Sequence, residues 1–319
     1  MSVYWTITRN TFRELIRQPI YLVLMVSSSV FMLFLASLYY AGAEEDASMV
    51  HSGVLATLWL TGLLTAVVGA STSIGEEVET GTALAVLSKP VGRLTFILGK
   101  FTGLAGALTM QCFSGSLSAL LATRMAFDVY GSPDYPAIVI MASVILMAFA
   151  MGLGINFFMM RPFVGPTVWS QMTCMILGFV GINFLSRSWG PQPFGTDLDH
   201  RMILALVLIM MALWLIAGIA IACSTRLGWI PTLVVCLGLF LIGLVSDYFF
   251  GLRSEQQGGW ASLAYAFIPN WQLFWMADAL AMKKTIPLSY LFNAFLYAIG
   301  GLGISLGIAA ILFEERELQ

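Results

Sequence analysis

The residue types that carry most protein chemistry are few here and badly spaced for it. His51 and His200 are the only histidines. Neither forms an H-x-x-x-H or His-Cys cluster, so no zinc ligand set is present. Cys112, Cys174, Cys223 and Cys236 all fall in apolar runs without C-x-x-C spacing, the pattern of buried, inert thiols. Methionines crowd at Met141, Met147, Met151, Met159 and Met160. Thioethers suit Cu(I), but methionine is also an ordinary filler of helix contacts, and that reading is preferred. The nearest approach to a phosphate loop is GRLTFILGK, Gly92 to Lys100, which separates its glycines by six residues and puts Phe101 where Ser or Thr is required. Ser114-Gly115-Ser116 has no G-x-S-x-G frame and no histidine base nearby in sequence. No catalytic, cofactor-binding or metal-ligating residue is assigned.

The remaining polar residues point to mechanics rather than catalysis. Lys100 and Asp247 sit close to the ends of apolar stretches, so no buried Asp, Glu or His relay for proton coupling is evident. Gln111, Asn156, Gln171, Asn183 and Asn293 are suited to hydrogen bonds between helices. Gly99 with Gly103, and Gly303 with Gly307, have the spacing that allows close helix approach. The densest charge lies in IGEEVETGTALAVLSKPVGR, residues 74–93. Its Glu76, Glu77 and Glu79 would occupy the first turn of a short helix and Lys89 the last, as the helix dipole favours, before Pro90 stops it. A charge-polarised helix with an apolar middle is shaped to dock something from the cytoplasm.

The elements that must hold these residues are membrane helices. Of 319 residues, 59% are hydrophobic and 10% charged, against about 45–50% and 25% in soluble domains. Lipid must therefore be the solvent for most of the surface. The net charge of −2 says nothing about nucleic acid, but no basic, charge-rich arm exists to bind it, so no nucleic-acid partner is expected. Stretches long enough to cross about 30 Å of hydrocarbon occur near 19–41, 53–74, 95–122, 136–160, 166–186, 202–223, 229–250 and 288–312. The expected fold is an all-α polytopic transmembrane bundle with eight spans, both termini cytoplasmic, in a bacterial inner membrane. The first span is too long for a signal peptide's apolar region and is read as uncleaved, despite Ala41-Gly42-Ala43. Of the 15 Lys and Arg, nine then fall inside and six outside, in the sense of the positive-inside rule. Tyr39, Tyr40, Trp169, Trp189, Trp229, Tyr248 and Tyr290 mark span ends as interfacial anchors.

One segment precedes this domain of residues 19–319 and another lies within it. Residues 1–18 interleave Val3, Ile7, Leu15 and Ile16 with Arg9, Arg13 and Arg17 before Pro19, which predicts an amphipathic helix in the cytoplasmic interface. Residues 252–287 carry Phe267, Pro269, Asn270, Trp271, Phe274 and Trp275. Their aromatic residues can share a helical face, lying in the outer interface or dipping into it.

The string E-x-x-T-G-T…L-S-K-P-V-G-R…L-G-K, from Glu77 to Lys100, resembles the first cytoplasmic loop of ABC-2 type transporter permeases. Arg17-Gln18-Pro19 closes a segment similar to their elbow helix, and Phe313 to Leu318 resembles their C-terminal ending. Ile268 to Phe274, IPNWQLF, is similar to the multi-copper enzyme maturation branch, which includes the permease serving nitrous oxide reductase. The resemblance implies a six-span ABC-2 exporter-like core, here with an added hairpin or two re-entrant segments. It also implies pairing with a second permease chain, as homo- or heterodimer, and with cytoplasmic ATP-binding subunits. Loop 75–93 would then be the ATPase-coupling element, through Glu76, Glu77, Glu79, Thr80, Gly81, Thr82, Lys89, Pro90 and Arg93. The elbow arginines would flank that contact. The alternative is an ABC-coupled component that recruits an extracytoplasmic partner through residues 252–287 without moving a solute.

Overall fold

Hydrocarbon offers no hydrogen bonds, so so apolar a chain must satisfy its backbone inside helices. The computed structural model describes residues 3–38, 46–75, 92–126, 134–251, 268–282 and 284–317. Among these there is no strand, only an isolated bridge between Leu185 and Pro191. The helices are α1 (Val3–Leu15), α2 (Pro19–Ser37), α3 (Asp46–Ala70), α4 (Arg93–Met125), α5 (Tyr135–Met159) and α6 (Val164–Asn183). After them come α7 (His200–Ser224), α8 (Trp229–Leu244), the short α9 (Ala277–Ala281) and α10 (Leu288–Glu317). Local signals start several of them. Pro19 takes the first position of α2, where its missing N–H is no loss. Asp134 and Asp199 cap α5 and α7 by accepting from the Ala137 and Arg201 amides.

Six helices are long and apolar enough to cross a membrane: α2, α3 with its extension to Gly75, α4, α5, α7 and α10. This is the six-span core, and two of the eight expected spans fall short of it. The α6 helix has 20 residues, but Pro166, Gln171 and Asn183 dilute its apolarity. The α8 helix has 16 residues, or about 24 Å at 1.5 Å per residue.

Side-chain contacts fix the directions. Tyr21 donates to the Ala107 carbonyl at 2.9 Å and Ser118 to Ser29 at 2.9 Å, so α2 and α4 run parallel. Thr65 donates to Gln111 at 2.6 Å while Leu58 packs on Gly115, so α3 and α4 run antiparallel. Thr167 against Gly152 and Val144 against Gly178 make α5 and α6 an antiparallel hairpin. Leu215 on Gly301 and Arg226 on Leu312 make α7 and α10 parallel. One end of the bundle thus gathers α1, the end of α3 and the start of α4, and is called the elbow end below. The core sits on α4, which touches α1, α2, α3, α5, α6, α7 and α10. In α3 and α4, 72% of the most apolar stretch is buried, against 22% in α5 and α10, which form the rim.

Candidate functional site

Lipid tails are as apolar as leucine, so helices associate in membranes where small residues let backbones approach. The elbow helix uses this rule. Ile7, Thr8, Thr11 and Leu15 form the buried face of α1, and they lie on the glycines that open α4. A Cβ on Gly103 would stand 2.6 Å from the Thr11 Cβ and 2.8 Å from the Thr8 carbonyl oxygen. One on Gly99 would stand 2.8 Å from the Ile7 Cγ2. The notch is also tied by hydroxyls: Thr102 donates to the Leu98 carbonyl at 2.7 Å and accepts from Tyr4 at 3.1 Å. Thr8 joins Thr102 at 3.0 Å. The Gly303 and Gly307 pair has no such role, because a Cβ at either would meet open space. The glycines that take helix contact on that side of the bundle are Gly218, under Ser305, and Gly301, under Leu215.

Glu76, Glu77, Glu79, Thr80, Gly81, Thr82, Lys89 and Pro90 lie outside the described residues, and Arg93 stands exposed at the first position of α4. The walls on either side of the loop are built in detail. The α3 helix ends in a π-helical turn, Ser71–Gly75, with Ser71, Ser73, Ile74 and Gly75 buried; such wide turns recur at functional sites. Ser71 meets Ser224 of α7 at 3.3 Å, and Thr72 donates to Gln18 beside the elbow at 3.5 Å. On the other side Phe96 stacks on Phe313 of α10 at 5.5 Å, and the buried Lys100 lies 5.7 Å from the Phe96 ring centre. Arg226 donates to the Leu312 carbonyl at 3.1 Å, tying the residues just after α7 to α10. A push at either end of loop 76–91 would therefore be felt at once by α1, α7 and α10.

Arg9, Arg13 and Arg17 point away from α4, into a cavity of about 820 Å³ shared with the α5–α6 turn. That turn contributes a fourth arginine, Arg161. Met160 adopts a left-handed conformation, φ 49°, that ends α5, and Asn156 donates to the Arg161 carbonyl at 2.6 Å.

The opposite end holds a cluster that spacing alone did not reveal. Arg124 and Asp134 pair at 2.9 Å with side-chain exposures of 2% and 0%. The same guanidinium donates to the Ile182 carbonyl at 2.7 Å and to that of Leu185, and lies 3.8 Å from Asp197. One arginine thus joins α4, the cap of α5 and the end of α6. The readable signal was an arginine ending an apolar run, followed ten residues later by Asp134 before Pro136.

In the outer segment Phe267 lies outside the described residues. The expected helical face is replaced by a 3-10 turn, Trp271–Phe274, and the short α9. Trp271 and Phe274 are buried, and Trp271 and Trp275 both pack on Trp59 of α3. Pro269 places its carbonyl where a side chain at Gly243 would be, 2.3 Å from that Cβ position, so the segment lies against the end of α8. Asn270 accepts from the Gln272 amide at 3.0 Å, starting the turn. Trp271 then donates to the Leu239 carbonyl at 3.1 Å and Gln272 to the Leu244 carbonyl at 2.9 Å. Non-helical backbone at this depth survives because protein surrounds it.

Among the described residues no three His, Cys, Asp or Glu side chains converge as metal ligands. Cys174 meets Met151 at 3.7 Å between α6 and α5.

The fold and site define an integral membrane protein, an all-α polytopic bundle with an elbow helix. Residues 5–160, which carry the elbow and the first four spans, match the family of ABC-2 family transporter proteins. Through this half the chain is similar to the membrane components of ABC transporters, whose partners are ATP-binding subunits. The match ends before Ile268 to Phe274, the segment that resembles the maturation branch. No curated protein matches the chain.

Proposed function

We propose that the chain is the transmembrane subunit of an ABC exporter, pairing with a second permease and two cytoplasmic ATP-binding subunits. The observation that carries this reading is the elbow end. The helix that resembles the family's elbow is wedged into the Gly99–Gly103 notch of α4, the same helix that leaves loop 76–91. The loop carrying Glu76, Glu77, Glu79, Thr80, Gly81, Thr82, Lys89 and Pro90 is the docking element, with Arg93 at its exit and Arg9, Arg13 and Arg17 flanking it. ATP-driven closure of the partner pushes on this end, and the π turn, α7 and α10 move with it between two packings. Both termini are cytoplasmic, in a bacterial inner membrane, which puts the basic elbow inside. Ile268 to Phe274 supports a finer place in the multi-copper enzyme maturation branch.

The experiment is co-purification from native membranes. An ATP-binding subunit is expected to follow the wild-type chain, and to be lost or uncoupled from transport when Glu77→Ala and Thr82→Ala are combined. A chain that transports without any bound ATPase, indifferent to both changes, would sink the reading. The recruitment alternative needs an aromatic face turned outward, and the burial of Trp271 and Phe274 counts against it.

A further inference from the structure

We propose that the cavity between the elbow helix and the α5–α6 turn holds the phosphate headgroup of an anionic phospholipid, with its acyl chains along the outer wall of α5. Four guanidinium-bearing side chains, Arg9, Arg13, Arg17 and Arg161, line it, and among the described residues no acidic one does. None of the four forms an ion pair with a carboxylate among the described residues. Guanidinium groups recognise phosphate oxygens in a bidentate way, and four like charges around one space repel each other until an anion enters. The volume of about 820 Å³ falls within the range of about 300–1,000 Å³ typical of small-molecule sites.

The second wall decides what kind of phosphate fits. Phe12, Ile16 and Trp169 line the same space. Immediately beyond it Phe158 and Met160 are 82% and 92% exposed, an apolar surface that belongs in acyl chains. A soluble phosphate would use the arginines and leave that surface unused. A lipid uses both, with its headgroup at the depth where arginine and tryptophan belong. The two walls come from segments about 150 residues apart in sequence, so an occupied site would also hold the elbow against the α5–α6 hairpin.

The test uses the full-length chain in detergent and native mass spectrometry with added phosphatidylglycerol, phosphatidylcholine or inorganic phosphate. Wild type is expected to retain phosphatidylglycerol over phosphatidylcholine, and millimolar phosphate should fail to displace it. Arg13→Gln with Arg161→Gln should weaken phosphatidylglycerol binding roughly thirtyfold, at about one decade or less per surface charge. Arg93→Gln with Lys284→Gln, which removes two charges outside the cavity, should leave it unchanged. Equal retention of the two lipids by wild type, or full binding by the Arg13/Arg161 pair, overturns the proposal. Displacement by inorganic phosphate assigns the site to a soluble anion and overturns it too. If the glutamine pair does not fold, the two wild-type comparisons still decide.

Discussion

Gly103 and Gly303 each belong to a G-x-x-x-G pair, yet only Gly103 touches another helix. Replacing Gly103 with valine drives a side chain into the Thr8 backbone, which cannot give way as a flexible side chain could. Overpacking of this kind costs about 1–3 kcal/mol, and the loss should appear as a lower unfolding temperature of the purified protein. Gly303→Val, facing open space, should stay within about 0.5 kcal/mol of wild type. Arg124 makes the other residue-level case. Arg124→Met strands Asp134 in a buried site and removes the guanidinium donors to the Ile182 and Leu185 carbonyls, a loss of about 3–5 kcal/mol. Adding Asp134→Leu should return part of it, since removing both charges is far cheaper than removing one. Equal melting temperatures for the single and double variants would contradict this account.

At the level of elements, α8 and the segment after it behave as one unit. The α8 helix ends at Leu244, before a π-helical turn at Asp247–Gly251; Gln272 supplies a donor to its last carbonyl, that of Leu244, and Trp271 a second bond to the Leu239 carbonyl about a turn earlier. Trp271→Ala removes a donor and a buried ring together, and about 3–5 kcal/mol of destabilisation is expected. Gln272→Leu keeps most of the volume and removes only the donor to Leu244, so about 1–3 kcal/mol is expected. Thermal unfolding of the two variants separates packing from hydrogen bonding. Period and length sufficed to locate the long helices and to find an amphipathic α1 from the placement of its arginines. Spacing also marked Gly99 and Gly103, but the partner they receive lies about 90 residues earlier, and nothing local in sequence names it. The same letters at Gly303 and Gly307 carried no contact, because a glycine pair reports permission to approach and not a neighbour. For residues 268–275 an aromatic run looked like an interfacial face. It is buried because it packs on Trp59 of α3 and on the end of α8, partners that no local pattern names.

For the whole molecule the open question is whether α6 and α8 cross the bilayer or return to the side they came from. Length argues that α6 crosses, since 20 residues reach about 30 Å, the thickness of the hydrocarbon. Its polar residues are no obstacle where they face protein: Thr167, Gln171 and Asn183 are all buried. Contacts argue it more strongly. The start of α6 shares the elbow-end cavity with Arg17, while its end is held by Arg124 at the far end of α4. Cysteines introduced at Met160 and Ser188, both exposed on either side of α6, should react with a membrane-impermeant maleimide from opposite faces. A pair at Trp229 and Tyr248, 59% and 69% exposed, should do the same for α8. Labelling of Met160→Cys and Ser188→Cys from one face would make α6 re-entrant and reverse every later helix. The parallel contact of α7 with α3, made by Ser224 on Ser71 and Leu213 on Gly62, could then not share one bilayer, so labelling tests the register of the bundle as well as its span count.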